Sequence, residues 1–228
     1  MILYFYETLG SRLTYITFAD RPVGFKTIRM PKGLETKELI LEKSAELFNS
    51  RGYDGCSMNN IMEATGLQKG GIYNHFSNKE EIAVAAFDFA MTKVIARFRE
   101  RLDKDSTSWA KLESIIRTIG SFAYDPVIVG GCPMFNTAVN SMNSHPSLKK
   151  RAQEGLNMLR RYVEIKIEEG VASGEFKDVE NIEGLASMII STVEGGVIMS
   201  RVYDQDEFVL RAEEFMLGHL KRQLKENN

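Results

Sequence analysis

Hydrophobic positions in this chain recur almost throughout at helical spacing. Met58, Ile61, Met62 and Thr65 stand at i, i+3, i+4 and i+7, one face of a helix. Gly66 follows at once, free to take the positive φ that a sharp helix-to-helix turn needs, and Ala64 is small enough for two helices to approach. A second short helix then puts Ile72 and Phe76 four residues apart, toward a core. Ser77-x-x-Glu80 has the form of a capping box for a third helix. Upstream, a helix over about 35–51 turns Ile40, Leu47 and Phe48 inward and stops at Gly52.

The same spacing continues beyond. A long helix over 78–103 carries Ile82, Ala85, Ala86 and Phe89, then Val94, Ile95, Phe98 and Leu102. Another, over 109–124, carries Leu112, Ile115, Ile116, Ile119, Phe122 and Ala123 before Asp125-Pro126 ends it. A short helix is expected near 136–143, then one over 146–173 with Leu148, Ala152, Leu156, Leu159 and Val163 inward and Gly174 as its stop. Asp178 would cap a helix running to 203, and a last helix over 206–224 has Phe208, Ala212, Phe215, Met216 and Leu220 in step. The fold expected is all-α. Residues 185–199 are apolar nearly all round, so they need cover on both sides. Gly195-Gly196 inside that helix costs about 1 kcal/mol per glycine relative to alanine, which makes sense where another backbone packs against it.

Residues 1–29 break the pattern, being aromatic and β-branched with Gly and Pro interruptions. No basic stretch precedes ILYFY and Glu7 interrupts it, so a signal peptide is not indicated. Two readings remain: an overextended start that leaves 1–29 disordered or not native, or an arm bringing Arg29 and Lys32 to a DNA minor groove.

The outward residues of the second short helix change the picture. Gln68, Lys69, Gly71, Tyr73, Asn74 and His75 offer amide, ammonium, phenol and imidazole groups with a glycine for close approach, which suits a DNA major groove. With Leu47-Phe48, Gly52-Tyr53, Ile61, Ala64, Gly66, Gly70, Ile72-Tyr73, His75-Phe76 and Lys79, residues 35–82 resemble the DNA-binding domain of TetR-type transcriptional repressors. The run from Tyr73 to Lys79 is the most specific part of that likeness.

The resemblance implies an extension at 1–29, a helix-turn-helix domain at 30–78 and a ligand-binding and dimerisation domain at 79–228. It implies a homodimer on a palindromic double-stranded operator, released by a small-molecule effector. Phosphate contacts would come from Tyr73, Lys79, Thr36 and Ser57, base contacts from Gln68, Lys69 and Asn74, with His75 between the two roles. The last two helices would pair with their symmetry mates through Gly195, Gly196, Phe208 and Phe215. Phe98, Leu102, Phe122, Met134, Phe135, Met142 and Tyr162 form either an apolar, aromatic effector pocket or dense core. Gln68 departs from the Ser or Thr usual in the family at the cap of the reading helix; either that helix begins differently or the amide is freed for a base.

Charge does not by itself point to nucleic acid. The net charge is −2, and residues 30–80 hold six Lys/Arg against seven acids, so binding rests on where charges sit. The catalytic search finds little. His75, His145 and His219 are scattered without metal-ligand spacing, and no cofactor, metal site or enzyme is expected. Cys132, between Gly130-Gly131 and Pro133, is a packed thiol or else a redox or electrophile sensor, which would need a lowered pKa; Cys56 is structural. A helical interaction dimer without DNA is the remaining alternative, and the polar face at 68–75 speaks against it. No run of 18 apolar residues occurs, so no membrane span is expected, and two cysteines without an export signal fit the cytoplasm.

Overall fold

The computed structural model describes residues 32–225, together with the strand backbones at 6–9, 12–15 and 26–29. Those strands, β1 (Tyr6–Leu9), β2 (Arg12–Tyr15) and β3 (Lys26–Arg29), pair antiparallel in the order β1-β2-β3, with Tyr6 opposite Tyr15 and Arg12 opposite Arg29. The described part of the extension is a strand meander, in keeping with the strand propensity of its β-branched and aromatic residues. Of Arg29 only the strand backbone is described, and Met30, where the domain boundary was expected, lies outside the described residues.

From Lys32 on, the all-α expectation holds. The helices are α1 (Lys32–Arg51), α2 (Met58–Thr65), α3 (Lys69–Tyr73), α4 (Lys79–Leu102), α5 (Ser108–Gly120), α6 (Pro133–Ser141), α7 (Pro146–Ala172), α8 (Ile182–Tyr203) and α9 (Glu207–Leu224). Two cores separate along the chain. Ile40, Cys56, Ile61, Ile72, Phe76 and Ile82 close the head formed by α1 to α3 and the start of α4. The larger core joins the far half of α4 to α5, α7, α8 and α9, with Leu112, Ile115, Ile116, Ile119 and Phe122 fully buried as their spacing requires. Between the two, Ala45, Ala86, Ala90 and Ile128 make a small bridging cluster, where alanines let α1 and α4 lie close.

Several boundaries differ from expectation. The cap of α4 is Asn78, whose Oδ1 accepts from the Glu81 backbone N–H at 2.9 Å, while Glu81 Oε2 accepts from the Ser77 N–H at 2.6 Å. The box thus sits one residue later than Ser77-x-x-Glu80; both Ser and Asn cap well, and sequence alone does not choose between them. Likewise Asn181, not Asp178, caps α8 through the Gly184 N–H. Ala64 is exposed.

Helix α8 is long and apolar enough to cross a membrane by length and composition alone. Here it packs on α5, α7 and α9 as a body helix, with Leu185, Ala186, Ile189, Val193 and Val197 buried. Its glycine pair divides in role. A Cβ on Gly196 would stand 2.8 Å from the Ala212 Cβ and 3.0 Å from the Val209 Cα, so this glycine serves the crossing of α8 with α9 inside one chain. Its close neighbours in the chain are thus residues of α9. A Cβ on Gly195 would meet nothing within 4 Å. Gly196→Leu is accordingly expected to destabilise the fold by about 1–3 kcal/mol through overpacking, read as a lower urea midpoint. An unchanged midpoint would remove the close-crossing argument.

Candidate nucleic-acid interface

The reading unit is built from short pieces locked at their ends. Ser57 caps α2, accepting from the Asn60 N–H at 3.2 Å, and the Asn60 side chain accepts from the Ser57 N–H at 2.8 Å. Gly66 closes α2 at φ +68°, the left-handed turn its position required. Helix α3 follows after Leu67 and the extended Gln68 at φ −77°, ψ 160°, whose side chain makes no capping bond. Its amide is exposed and uncommitted to the helix end, which resolves the family departure in favour of a free side chain. Ile72 at 0% exposure and Phe76 at 3% anchor α3 to the head core.

Opposite that anchor the structure gathers Gln68, Lys69, Tyr73 and Asn74 on one exposed face. The Lys69 ammonium lies 5.6 Å from the Tyr73 ring centroid. Gly70 and Gly71 keep the middle of the helix low: a Cβ at 70 meets nothing, and at 71 only Leu67 at 3.7 Å. His75 is half-buried beside this face. Lys79 is occupied differently from expectation. Its ammonium donates to the Tyr53 carbonyl at 2.6 Å and sits 3.9 Å over the Tyr53 ring, so it ties α4 to the α1–α2 connection. An ammonium has three donors, which leaves it capacity for a phosphate as well. Thr36 lies in the second turn of α1, where its hydroxyl donates to the Lys32 carbonyl at 2.9 Å. Lys37, overlooked in the sequence because its partner is distant, stands 5.5 Å from the Phe76 ring and adds a cation at the head.

A second feature lies in the body. Between α4 and α7 a cleft of about 460 Å³ is lined by Met91, Val94, Ile95, Phe98, Met134, Gly155, Met158, Leu159, Tyr162 and Ile165, with Arg99 and Arg161 among its walls. Of the seven residues assigned to an effector pocket, Phe98, Met134 and Tyr162 line it. Phe98 meets Phe122 and Tyr162 edge-on at 6.5 and 6.4 Å. Phe122 and Leu102 belong to the packed core behind, and Phe135 packs against that core without lining the cleft. Met142, at the end of α6, is 52% exposed and away from the cleft, since α6 carries it out toward solvent. Met91, Val94 and Met158 were missed because the wall is made by two helices far apart in sequence.

Cys132 does not have a sensor's surroundings. It is 2% exposed, and burial, then the neighbouring Glu194 carboxyl, push its thiol well above the ordinary range. A protonated, shielded sulfur is a poor nucleophile, so the surroundings of Cys132 lend the redox alternative no support. Glu194 itself is fully buried on α8 with the Cys132 thiol as its polar neighbour, and burial pushes it up to about 7 against the smaller, opposing pull of that thiol. No group of three or more His, Cys, Asp or Glu side chains suited to a metal occurs among the described residues.

Residues 40–86 match the family model described as "Bacterial regulatory proteins, tetR family", and residues 108–216 match "Tetracyclin repressor-like, C-terminal domain". A TetR transcriptional regulator from Chloroflexus aurantiacus J-10-FL, solved by crystallography, is 36% identical over 86% of this chain and 98% of that one, with a TM-score of 0.83. The chain belongs to the TetR family. Among TetR-family relatives, the "Uncharacterized HTH-type transcriptional regulator in lacX 3'region" of Lactococcus lactis subsp. lactis is 27% identical over 78% of this chain and 88% of its own length. The "Fatty acid metabolism regulator protein" of Bacillus subtilis (strain 168) is 25% identical over 73% of this chain and 84% of its own. As a TetR-family member the protein is a DNA-binding transcriptional regulator and not an enzyme.

Proposed function

We propose that this TetR-family regulator is an operator-binding repressor released by a small, largely apolar effector seated in the α4–α7 cleft. Residues 30–78 form the reading domain and 79–228 the effector and dimerisation domain. The observation that carries the reading is the exposed face of Gln68, Lys69, Tyr73 and Asn74 on a helix whose opposite face, Ile72 and Phe76, is buried. Gln68, Lys69 and Asn74 read base edges; Tyr73, Lys79 and Ser57 hold phosphates, with His75 beside them.

The protein acts as a homodimer on a palindrome, its half-sites about 34–36 Å apart. Supporting this, α8 and α9 expose an apolar stripe of Met188, Ile198, Met199, Val202 and Phe215, the last 64% exposed and stacked on His219. Gly195 lies open on α8, and Phe208 stacks on Tyr203 at 5.0 Å. An exposed apolar patch of this kind marks an interface. The effector fits the cleft's aliphatic and methionine lining, and the kinship with a fatty acid metabolism regulator favours a compound with a long apolar tail. Operator binding implies a cytoplasmic protein that needs no cofactor.

Selecting genomic fragments with the purified full chain tests the proposal. One palindromic site should be enriched, and Asn74→Ala should relax preference at particular base pairs of that site, costing about 1–3 kcal/mol. Equal loss on every sequence would move Asn74 from base reading to backbone holding, and no enrichment would end the operator reading.

A further inference from the structure

The head and the body are joined by more than the continuity of α4. Asn49, on the last turns of α1 and 8% exposed, donates from its side-chain amide to the carbonyls of Val129 and Gly131, both at 3.0 Å. Asn136, in the first turn of α6, donates to the Asn49 carbonyl at 3.2 Å, to Asn49 Oδ1 at 3.1 Å and to the Gly130 carbonyl at 2.6 Å. These two amides thus fasten the loop before α6 onto the end of α1. The Asn49 carbonyl belongs to the final turns of α1, where a helix runs out of backbone donors, so Asn136 fills a real vacancy. The loop comes close enough to need its glycines. Gly130 has φ +109°, and a Cβ there would stand 2.7 Å from the Asn49 carbonyl oxygen.

The other side of the same helical turn touches the effector cleft. Met134 is 1% exposed and lines that cleft. Met134 and Asn136 are two residues apart, about 200° around the helix, so they face opposite ways. A ligand displacing Met134 would press on the turn that holds Asn49.

We propose that Asn136 and Asn49 are the positioning residues through which an occupied cleft repositions the reading head, the first turn of α6 acting as the lever between them. This rests on the cleft being the effector site. The alternative route is α4 alone, which borders both the cleft and the head. In the α4 route the asparagines only add stability. In the lever route they carry the coupling.

The test uses the full chain, an operator fragment, and the dye 1-anilinonaphthalene-8-sulfonate as an apolar probe, with Met158→Glu confirming that the dye sits in the cleft. Operator DNA should weaken dye binding to the wild type by about fivefold or more, the reciprocal of release. Asn136→Asp and Asn49→Asp keep the side-chain shape but remove the donors. Each should leave dye affinity of the free protein within about twofold while the operator's effect shrinks to about twofold or less. An operator effect undiminished in both variants overturns the lever. A second measurement needs no ligand: operator affinity of Met134→Ala, Asn136→Asp and the double variant. Non-additivity of about threefold or more supports the lever, and additivity within about twofold overturns it. If operator DNA leaves dye affinity unchanged in the wild type, the effector reading of the cleft fails, and the cycle still decides whether Met134 and Asn136 are linked.

Discussion

Glu194→Gln should make the protein more stable relative to wild type at pH 8 than at pH 4.5, by about 3 kcal/mol between the two. The buried carboxyl has its pKa raised to about 7 from the ordinary 4.5, with burial as the main cause. An acid whose folded pKa exceeds its unfolded one favours the folded state fully below the unfolded value. That contribution is lost as pH rises from about 4.5 toward 7 and stays lost above it. Glutamine does not titrate, so the difference between the variant and wild type isolates this one group from other carboxyls, Glu213 among them. Urea unfolding of both proteins at the two pH values is the measurement. A variant-to-wild-type difference that is the same at pH 4.5 and pH 8 would falsify the assignment of a protonatable, buried Glu194.

Ile72→Ala should uncouple the head from the body. Ile72 has no exposed surface and sits in a core whose members all come from residues 40–82. Removing its methyl and methylene groups leaves a cavity and costs about 2–5 kcal/mol. In so small a core that loss has no other layer to absorb it, whereas the body core does not include Ile72 at all. Operator binding should disappear, although every outward-facing group of α3 is retained. Amide exchange across 58–76 should accelerate by about thirtyfold or more, while 185–197 keeps its protection. Equal acceleration in both stretches would mean that the chain opens as one unit and that the two cores are not independent.

What the sequence made legible was local. Ile72 and Phe76, the glycine stops at 52, 66 and 174, and the buried stripe of α5 follow from spacing within a single helix or from one residue's backbone freedom. Contacts set by tertiary packing were less legible. Gly196 shows in the sequence as a site of close approach, but not which backbone approaches; the partner is α9 of the same chain. Met142 has the same chemistry as Met134, and only the course of α6 sends one to solvent and the other to the cleft. Lys79 matched the family pattern, yet its hold on Tyr53 spans 26 residues. The bonds between Asn49 and Asn136 join residues 87 apart, and nothing in either residue's neighbours announces them.

Helix α3 is five residues long, KGGIY, with no side-chain cap and two glycines at its centre. Each glycine costs a helix about 1 kcal/mol relative to alanine, and an isolated segment this short would not be helical in water. Its order is borrowed from Ile72 and Phe76 on one side, and on the reading proposed above a DNA groove would supply the same service on the other. If α3 reads the operator as proposed, binding should lower the heat capacity by more than rigid docking gives, because two missing side chains leave the free helix little order of its own.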